Sequence, residues 1–174
     1  MLSLVFLVLD LVVGVIHIYL DKQPRTNGRV AQIFLLWMLV ITVGVLSCFF
    51  FITHTLLAKS SAQSIGWPAG NPFQSEVAVA NLSMGILGIL CYWIRGNFWV
   101  DTVTGFSVWW LGDAVVHIRS IVVDANYAPN NAGVTLYLDI LIPVLLIALL
   151  VYYLYATRHE QGMSPTGRPT GRVV

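Results

Sequence analysis

Five apolar runs, each long enough to cross a lipid bilayer, constrain the fold of this chain most strongly. They cover residues 2–20, 30–57, 72–94, 98–123 and 135–156, and a membrane-spanning helix needs about 20 predominantly apolar residues. Because 57% of the 174 residues are hydrophobic and only 10% are charged, a water-soluble surface cannot be built from this sequence. The sequence therefore predicts an all-α, polytopic membrane protein, a bundle of five transmembrane helices embedded in the lipid bilayer. It excludes a nucleic-acid-binding protein.

The basic residues predict how the bundle is oriented. Seven of the nine fall on one side of the predicted topology, namely Lys22, Arg25, Arg29, Arg95, Arg158, Arg168 and Arg172. Lys59 and Arg119 fall on the other side. Because cytoplasmic segments are enriched in Lys and Arg, the N-terminus is predicted outside and the C-terminus inside. Residues 1–157 form the predicted transmembrane domain, and the Gly- and Pro-containing residues 158–174 are predicted to be a mobile cytoplasmic tail.

The segments between the spans are rich in turn residues. A short interfacial helix is predicted near residues 59–65, followed by a turn into the third span. Asn71, Pro72 and Gln74 fit the N-cap, N1 and N3 positions of a capping box at the start of that span. Arg95, Gly96 and Asn97 predict a tight turn between the third and fourth spans, and residues 124–134 consist mainly of turn-forming residues.

Several ionisable side chains interrupt the apolar spans, where they are expected to face the bundle interior or a cavity. The predicted topology places five of them in the outer half of the membrane, namely His54, Glu76, Asp113, His117 and Asp139. Asp113 and His117 are four residues apart and share one helix face, with Trp109 and Trp110 on or beside it. The predicted ligand-binding site consists of Glu76, Trp109, Trp110, Asp113, His117 and Asp139. His54 is predicted at its rim, and residues 66–73 are predicted to form a lid over it.

The chemistry of this site stays open at the level of sequence. Imidazole and carboxylate groups suit a divalent transition metal such as Zn, Fe or Mn, and the predicted ligands are His54, Glu76, His117 and Asp139. Haem is disfavoured, because it needs two histidines at similar depth on facing helices and His54 lies close to the surface. The alternatives are an internal polar network, a small-ligand site with Glu76 or Asp113 as general base, and a proton relay in a carrier. Whether the protein is an enzyme is left undecided.

Small residues form faces on two of the predicted helices. On the third, Asn81, Gly85, Gly88 and Tyr92 share one side, and on the fourth Gly105 and Gly112 do. Small residues allow transmembrane helices to approach closely. These faces predict a homo-oligomer, or an accessory subunit that packs against a larger membrane complex.

Several long motifs resemble those of a known family. They are residues 64–76 with the pattern GWPxGNPFQxE, residues 80–82, Gly85, Gly88, and residues 95–98, 112–118, 127–133 and 138–140. Together they are similar to a bacterial family of small integral membrane proteins known only as a domain of unknown function, over about residues 30–156. The resemblance implies a bacterial inner-membrane protein and implies no activity. The family pattern often has a small residue where this chain has Asp113, which favours a site based on Glu76, His117 and Asp139.

Overall fold

A computed structural model describes residues 2–162 as an α-helical bundle. Its helices are α1 (Leu2–Leu20), α2 (Asn27–Leu56), α3 (Ala58–Ile65), α4 (Phe73–Leu90), α5 (Asn97–Asp124), α6 (Pro129–Ala132) and α7 (Val134–Gly162). Within these residues, α1, α2, α4, α5 and the α6–α7 segment are long and apolar enough to cross a membrane. The prediction of an all-α chain with five such helices is confirmed.

The outer surface of the bundle is apolar, as a lipid-facing surface must be. Val5 and Val15 on α1, Val115 on α5 and Val151 on α7 are each more than half exposed. The interior is formed around α2, which contacts α1, α4 and α7, while α5 packs against α7. Because both the surface and the core are apolar, each buried polar side chain requires a specific hydrogen-bond partner or a ligand.

Glycines let α2 and α4 approach until their backbones touch. A Cβ atom on Gly88 would meet the backbone nitrogen and Cα of Gly44, and one on Gly85 would lie 2.5 Å from Cys48 Sγ. This contact falls where residues Met38–Leu46 of α2 form a π-helix, which has wider turns than an α-helix. The glycine face of α4 is therefore occupied within the chain. On α5, a Cβ atom on Gly112 would meet no atom within 4 Å among the described residues.

Polar contacts join α1 to α2 along the length of the helix pair. They are hydrogen bonds from Thr42 Oγ1 to Asp10 Oδ2 (2.6 Å), from Trp37 Nε1 to His17 Nδ1 (2.9 Å) and from Arg29 Nε to Asp21 Oδ2 (2.6 Å). In the middle of the pair, Gly14 packs against the ring of Phe34. This face of α1 is therefore its packing surface against α2.

Some helix ends differ from the predicted ends, and side chains near them form hydrogen bonds to residues that are distant in the sequence. Helix α7 continues to Gly162 because Glu160 ties it to the start of α2, accepting hydrogen bonds from Gly28 N (2.8 Å) and Thr26 Oγ1 (3.0 Å). Residues 158–162 of the predicted tail are thus helical, and residues 163–174 lie outside the described part of the chain. Helix α4 begins at Phe73, whose amide donates to Asn71 Oδ1 (3.0 Å). Gln74 bonds to the carbonyl of Ala58 (2.6 Å) and does not complete a capping box.

The chain order places five helix ends together. The start of α1, the end of α2, the start of α4, the end of α5 and the start of α7 lie at one end of the bundle, where α3 and α6 cover them. We refer to it as the His117 end, after the buried histidine near the end of α5. The opposite end contains the Asp21–Arg29 pair and the contacts of Glu160.

Candidate functional site

A cavity of about 460 Å³ opens at the His117 end of the bundle. Side chains from α1 to α5, from α7 and from Asn130 of α6 line it. Among them are five of the six predicted ligand-binding residues, Trp109, Trp110, Asp113, His117 and Asp139, together with His54. The helix ends thus bring together side chains that are far apart in the sequence, such as Ser3, His54 and Asp139.

Glu76 is the predicted site residue that the structure places elsewhere. Its side chain is exposed and does not line the cavity. Val77 and Asn81, which are four residues apart, are the positions of α4 that face the cavity. Successive residues of an α-helix point about 100° apart, so Glu76 is directed away from the face that Val77 presents.

The predicted metal ligands His54, Glu76, His117 and Asp139 do not converge. Among residues 2–162, no three side chains of His, Cys, Asp or Glu lie close enough to hold a metal ion. Helix α4 turns Glu76 away from the cavity, and the other three predicted ligands line the cavity without lying close enough to share one ion. His117, Asp113 and Asp139 line the same cavity, but they do not lie close enough together to coordinate one ion.

His117 is buried and held in one orientation by Asn131. Its Nδ1 lies 2.7 Å from Asn131 Oδ1, and the amide nitrogen of Asn131 donates to the carbonyl of Asn126 (2.8 Å). Because only the NH2 group of Asn131 can donate to that carbonyl, its oxygen faces His117 and must accept. His117 therefore carries its hydrogen on Nδ1, and in the neutral ring Nε2 has a free lone pair.

The two aspartates of the cavity wall lie near this histidine. Asp139 Oδ2 is 3.7 Å from His117 Nε2, which is longer than a hydrogen bond. Asp113 lines the same cavity one helical turn before His117 on α5. His117 Nε2 and the two carboxylates form what we call the polar centre of the cavity.

Trp67 covers one face of His117 from the loop between α3 and α4. The two rings are stacked, with centroids 5.4 Å apart and planes 16° apart, and Trp67 Nε1 donates to Ser120 Oγ at 3.4 Å. Gly66, at φ 79°, makes the turn that positions Trp67, and a Cβ atom there would lie 2.5 Å from Asn126 Oδ1. Trp67 of the predicted lid thus shields His117.

Three hydroxyl groups of the lining can accept a hydrogen bond from a ligand but have no hydrogen left to donate. The hydroxyls of Thr53, Ser61 and Ser64 each donate to a backbone carbonyl, at 3.0, 3.3 and 2.8 Å, which leaves their lone pairs free. The side chain of Asn81, which is 3% exposed, donates to the carbonyl of Val77 (2.9 Å). In the described part of the chain its Oδ1 has no hydrogen-bond partner.

Sequence reasoning missed Asn131 and Asn81. Asn131 follows Pro129 and Asn130 in a segment typical of turns, and its complete burial depends on α6 folding back against α5 and α7. Asn81 was assigned to a packing face of α4, which it shares with Gly85. The only sequence signal for either residue is a polar amide within or next to an apolar span.

The structure defines the chain as an α-helical bundle with five helices long and apolar enough to cross a membrane, and with a cavity at one end that contains ionisable side chains. The chain belongs to a family of unknown function (DUF6790), whose sequence profile matches residues 1–159. Membership in a family of unknown function, implied by the motifs, is confirmed, over more of the chain than residues 30–156. No curated protein and no solved structure matches the chain significantly.

Proposed function

We propose that this protein binds a small polar ligand in the cavity at the His117 end. The observation that carries the proposal is the presence of His117, Asp113 and Asp139 in the lining of one cavity at the end of a largely apolar bundle. Ionisable groups within membrane spans are costly and usually functional. A volume of about 460 Å³ is in the range of small-molecule sites.

The arrangement of His117 supports binding more than a purely structural network. Asn131 fixes the ring with Nε2 directed toward Asp139, yet the 3.7 Å separation leaves this pair without a direct hydrogen bond. A donor group of a ligand placed beside this pair could hydrogen-bond to Nε2 or to the carboxylate of Asp139. In a closed structural network, the direct contacts would already be made.

The experiment compares two neighbouring positions of α5 that differ in what they face. Asp113 lines the cavity, whereas Val115 is 65% exposed on the outer surface. Asp113→Cys and Val115→Cys are introduced separately into a Cys48→Ala/Cys91→Ala background. Each protein, in lipid nanodiscs, is treated with the neutral reagent 2-hydroxyethyl methanethiosulfonate.

We expect Asp113→Cys to react and Val115→Cys to remain unmodified, because only the thiolate reacts and lipid suppresses ionisation. The cysteine-free parent gives the background of the mass-spectrometric readout. Equal modification of both positions, or of neither, would contradict a water-filled cavity at Asp113 and with it the proposed binding site.

We also propose a location and orientation for the protein, the bacterial inner membrane with the His117 end facing outward. The support is the distribution of basic residues, since Lys22, Arg25 and Arg29 lie at the opposite end and cytoplasmic segments are enriched in such residues. In intact bacterial cells, a membrane-impermeant maleimide is expected to label Lys59→Cys and to spare Lys22→Cys. The reverse pattern would overturn the orientation and leave the cavity unaffected.

A further inference from the structure

We infer that the ligand of this cavity is an organic cation with a primary ammonium group. The inference rests on the proposed function and specifies the class of ligand. An ammonium group offers three hydrogen-bond donors and no acceptor, and the polar centre of the cavity offers the complementary set.

The carboxyl groups of the cavity lining, one ring nitrogen and three of its hydroxyls are available as hydrogen-bond acceptors. Asp113 and Asp139 supply carboxylate oxygens, and His117 supplies Nε2 because Nδ1 donates to Asn131. The hydroxyls of Thr53, Ser61 and Ser64 have already donated their hydrogens to carbonyls. Each of these groups can accept a hydrogen bond from a ligand.

The donors that line the cavity are neutral. They include the amides of Asn81 and Asn130, the indole N–H groups of Trp109 and Trp110, the ring N–H of neutral His54, and the hydroxyl of Ser3. No lysine or arginine is among the lining residues within the described range 2–162. An anionic ligand would therefore meet two carboxylates without a cation to balance its charge, which costs free energy in a site of low dielectric constant.

Asn81 gives an independent reason to expect a donor. Its amide nitrogen donates to the carbonyl of Val77, and its oxygen has no hydrogen-bond partner in the described part of the chain. A buried acceptor without a partner is unfavourable unless a ligand or water satisfies it. Asn81 lines the cavity that also contains Asp113 and Asp139.

The aromatic part of the lining fits the same class of ligand. Phe50, Trp109 and Trp110 line the cavity, and Phe50 and Trp110 pack with ring centroids 6.3 Å apart. Aromatic rings attract cations through their faces and also accommodate a short hydrocarbon chain. A bare metal ion is a poorer fit, because no three metal-binding side chains converge within residues 2–162.

The test uses three probes of matched length and different charge. Radiolabelled 4-amino-1-butanol, 1,4-butanediol and 4-hydroxybutyrate are equilibrated by dialysis with the full-length protein in phosphatidylglycerol nanodiscs. We expect the amine to bind saturably and at least tenfold more tightly than the diol, with 4-hydroxybutyrate weakest. Empty nanodiscs correct for partition into lipid.

Substitutions in the cavity test whether the amine binds at the polar centre. Asp139→Asn and Asp113→Asn are each expected to weaken amine binding at least tenfold, because a charge-assisted hydrogen bond becomes a neutral one. Asp101→Asn, at the exposed opposite end of α5, should leave binding unchanged. Asp139 is buried, whereas Asp113 is only partly buried. If Asp139→Asn does not fold, Asp113→Asn still tests whether the carboxylates bind the amine.

The outcomes separate the ligand class from the proposed function. If the diol or 4-hydroxybutyrate binds most tightly and this binding is lost in Asp113→Asn, the cavity is a ligand site but its ligand is not a cation. This result would overturn the inference and not the proposed function. Saturable binding of none of the three probes would overturn both. Amine binding that is equal in the wild type and both cavity variants would place the amine outside the cavity and overturn the inference.

An ammonium group could come from a free amine or from an aminophospholipid headgroup, and one further arm distinguishes them. The amine titration is repeated in nanodiscs that contain phosphatidylethanolamine. Loss of affinity in proportion to the phosphatidylethanolamine content would identify the headgroup as the ligand. Unchanged affinity would identify a soluble amine.

Discussion

Trp67 lies face to face on His117, with ring centroids 5.4 Å apart and ring planes 16° apart. The tryptophan comes from the loop between α3 and α4, and the histidine comes from the last turns of α5. The stack therefore couples the loop to the polar centre of the cavity. It covers one face of the imidazole, while Asn131 holds its Nδ1.

Replacing Trp67 by Ala should expose His117 and weaken the attachment of the loop. We expect the free energy of unfolding to fall by about 0.5–1.5 kcal/mol in addition to the effect of the lost buried area, because this is the range for a packed aromatic pair. Modification of His117 by diethyl pyrocarbonate, measured by mass spectrometry, should become faster. Trp67→Phe keeps a ring and loses only the bond to Ser120 Oγ, so it should retain most of the protection. Equal rates in all three proteins would show that Trp67 does not cover His117.

Removing the amide of Asn131 should destabilise the protein through His117. In Asn131→Ala, the buried Nδ1–H of His117 loses its acceptor, and an unsatisfied buried donor costs about 1–3 kcal/mol. Thermal unfolding in detergent should show a lower midpoint than wild type. Asn130→Ala is the matched control, since the neighbouring Asn130 is exposed. An equal effect of the two substitutions would be inconsistent with the Asn131–His117 bond.

The close approach of α2 and α4 predicts opposite effects of alanine at two glycines. A Cβ atom on Gly88 would collide with the backbone of Gly44, so Gly88→Ala must push the helices apart and should destabilise the bundle by about 1–3 kcal/mol. Gly112→Ala meets no atom within 4 Å in the described residues and should be neutral or slightly stabilising, because Ala favours the helix. Thermal unfolding of both variants measures the difference. Similar midpoints would contradict the α2–α4 contact.

The five apolar helices could be predicted from the sequence because membrane spans are determined by local composition. The face that Asp113 and His117 share could also be predicted, since a spacing of four residues fixes it within one helix. Glu76 could not be placed, because its depth was predictable but the rotation of α4 depends on Gly44 and Gly88 packing together. Asn131 was missed for a similar reason, since nothing local indicates that a turn residue becomes fully buried.

The ion pair at the opposite end of the bundle predicts a pH dependence of stability. The hydrogen bond from Arg29 lowers the pKa of Asp21 below its ordinary value. A carboxyl group with a lowered pKa in the folded state stabilises that state above the ordinary pKa of about 3.9, and the contribution is lost as the pH falls through the lowered value. The unfolding midpoint of wild type should therefore exceed that of Asp21→Asn at pH 6, and the difference should shrink below pH 4. A difference that persists at low pH would contradict an ionic contribution, and the exposed Asp124→Asn serves as the control.

The 15N resonances of His117, recorded in the presence of the three probes, test the proposed ligand site most directly. His17, His54 and His159 are replaced by Gln, so that 15N-histidine labels His117 alone, and spectra are recorded in lipid nanodiscs by magic-angle-spinning NMR. We predict a hydrogen on Nδ1, an unprotonated Nε2 in the neutral ring, and a saturable shift of the Nε2 resonance with at least one probe, largest for 4-amino-1-butanol. A hydrogen on Nε2, or an Nε2 resonance that no probe moves, would contradict a ligand site at His117.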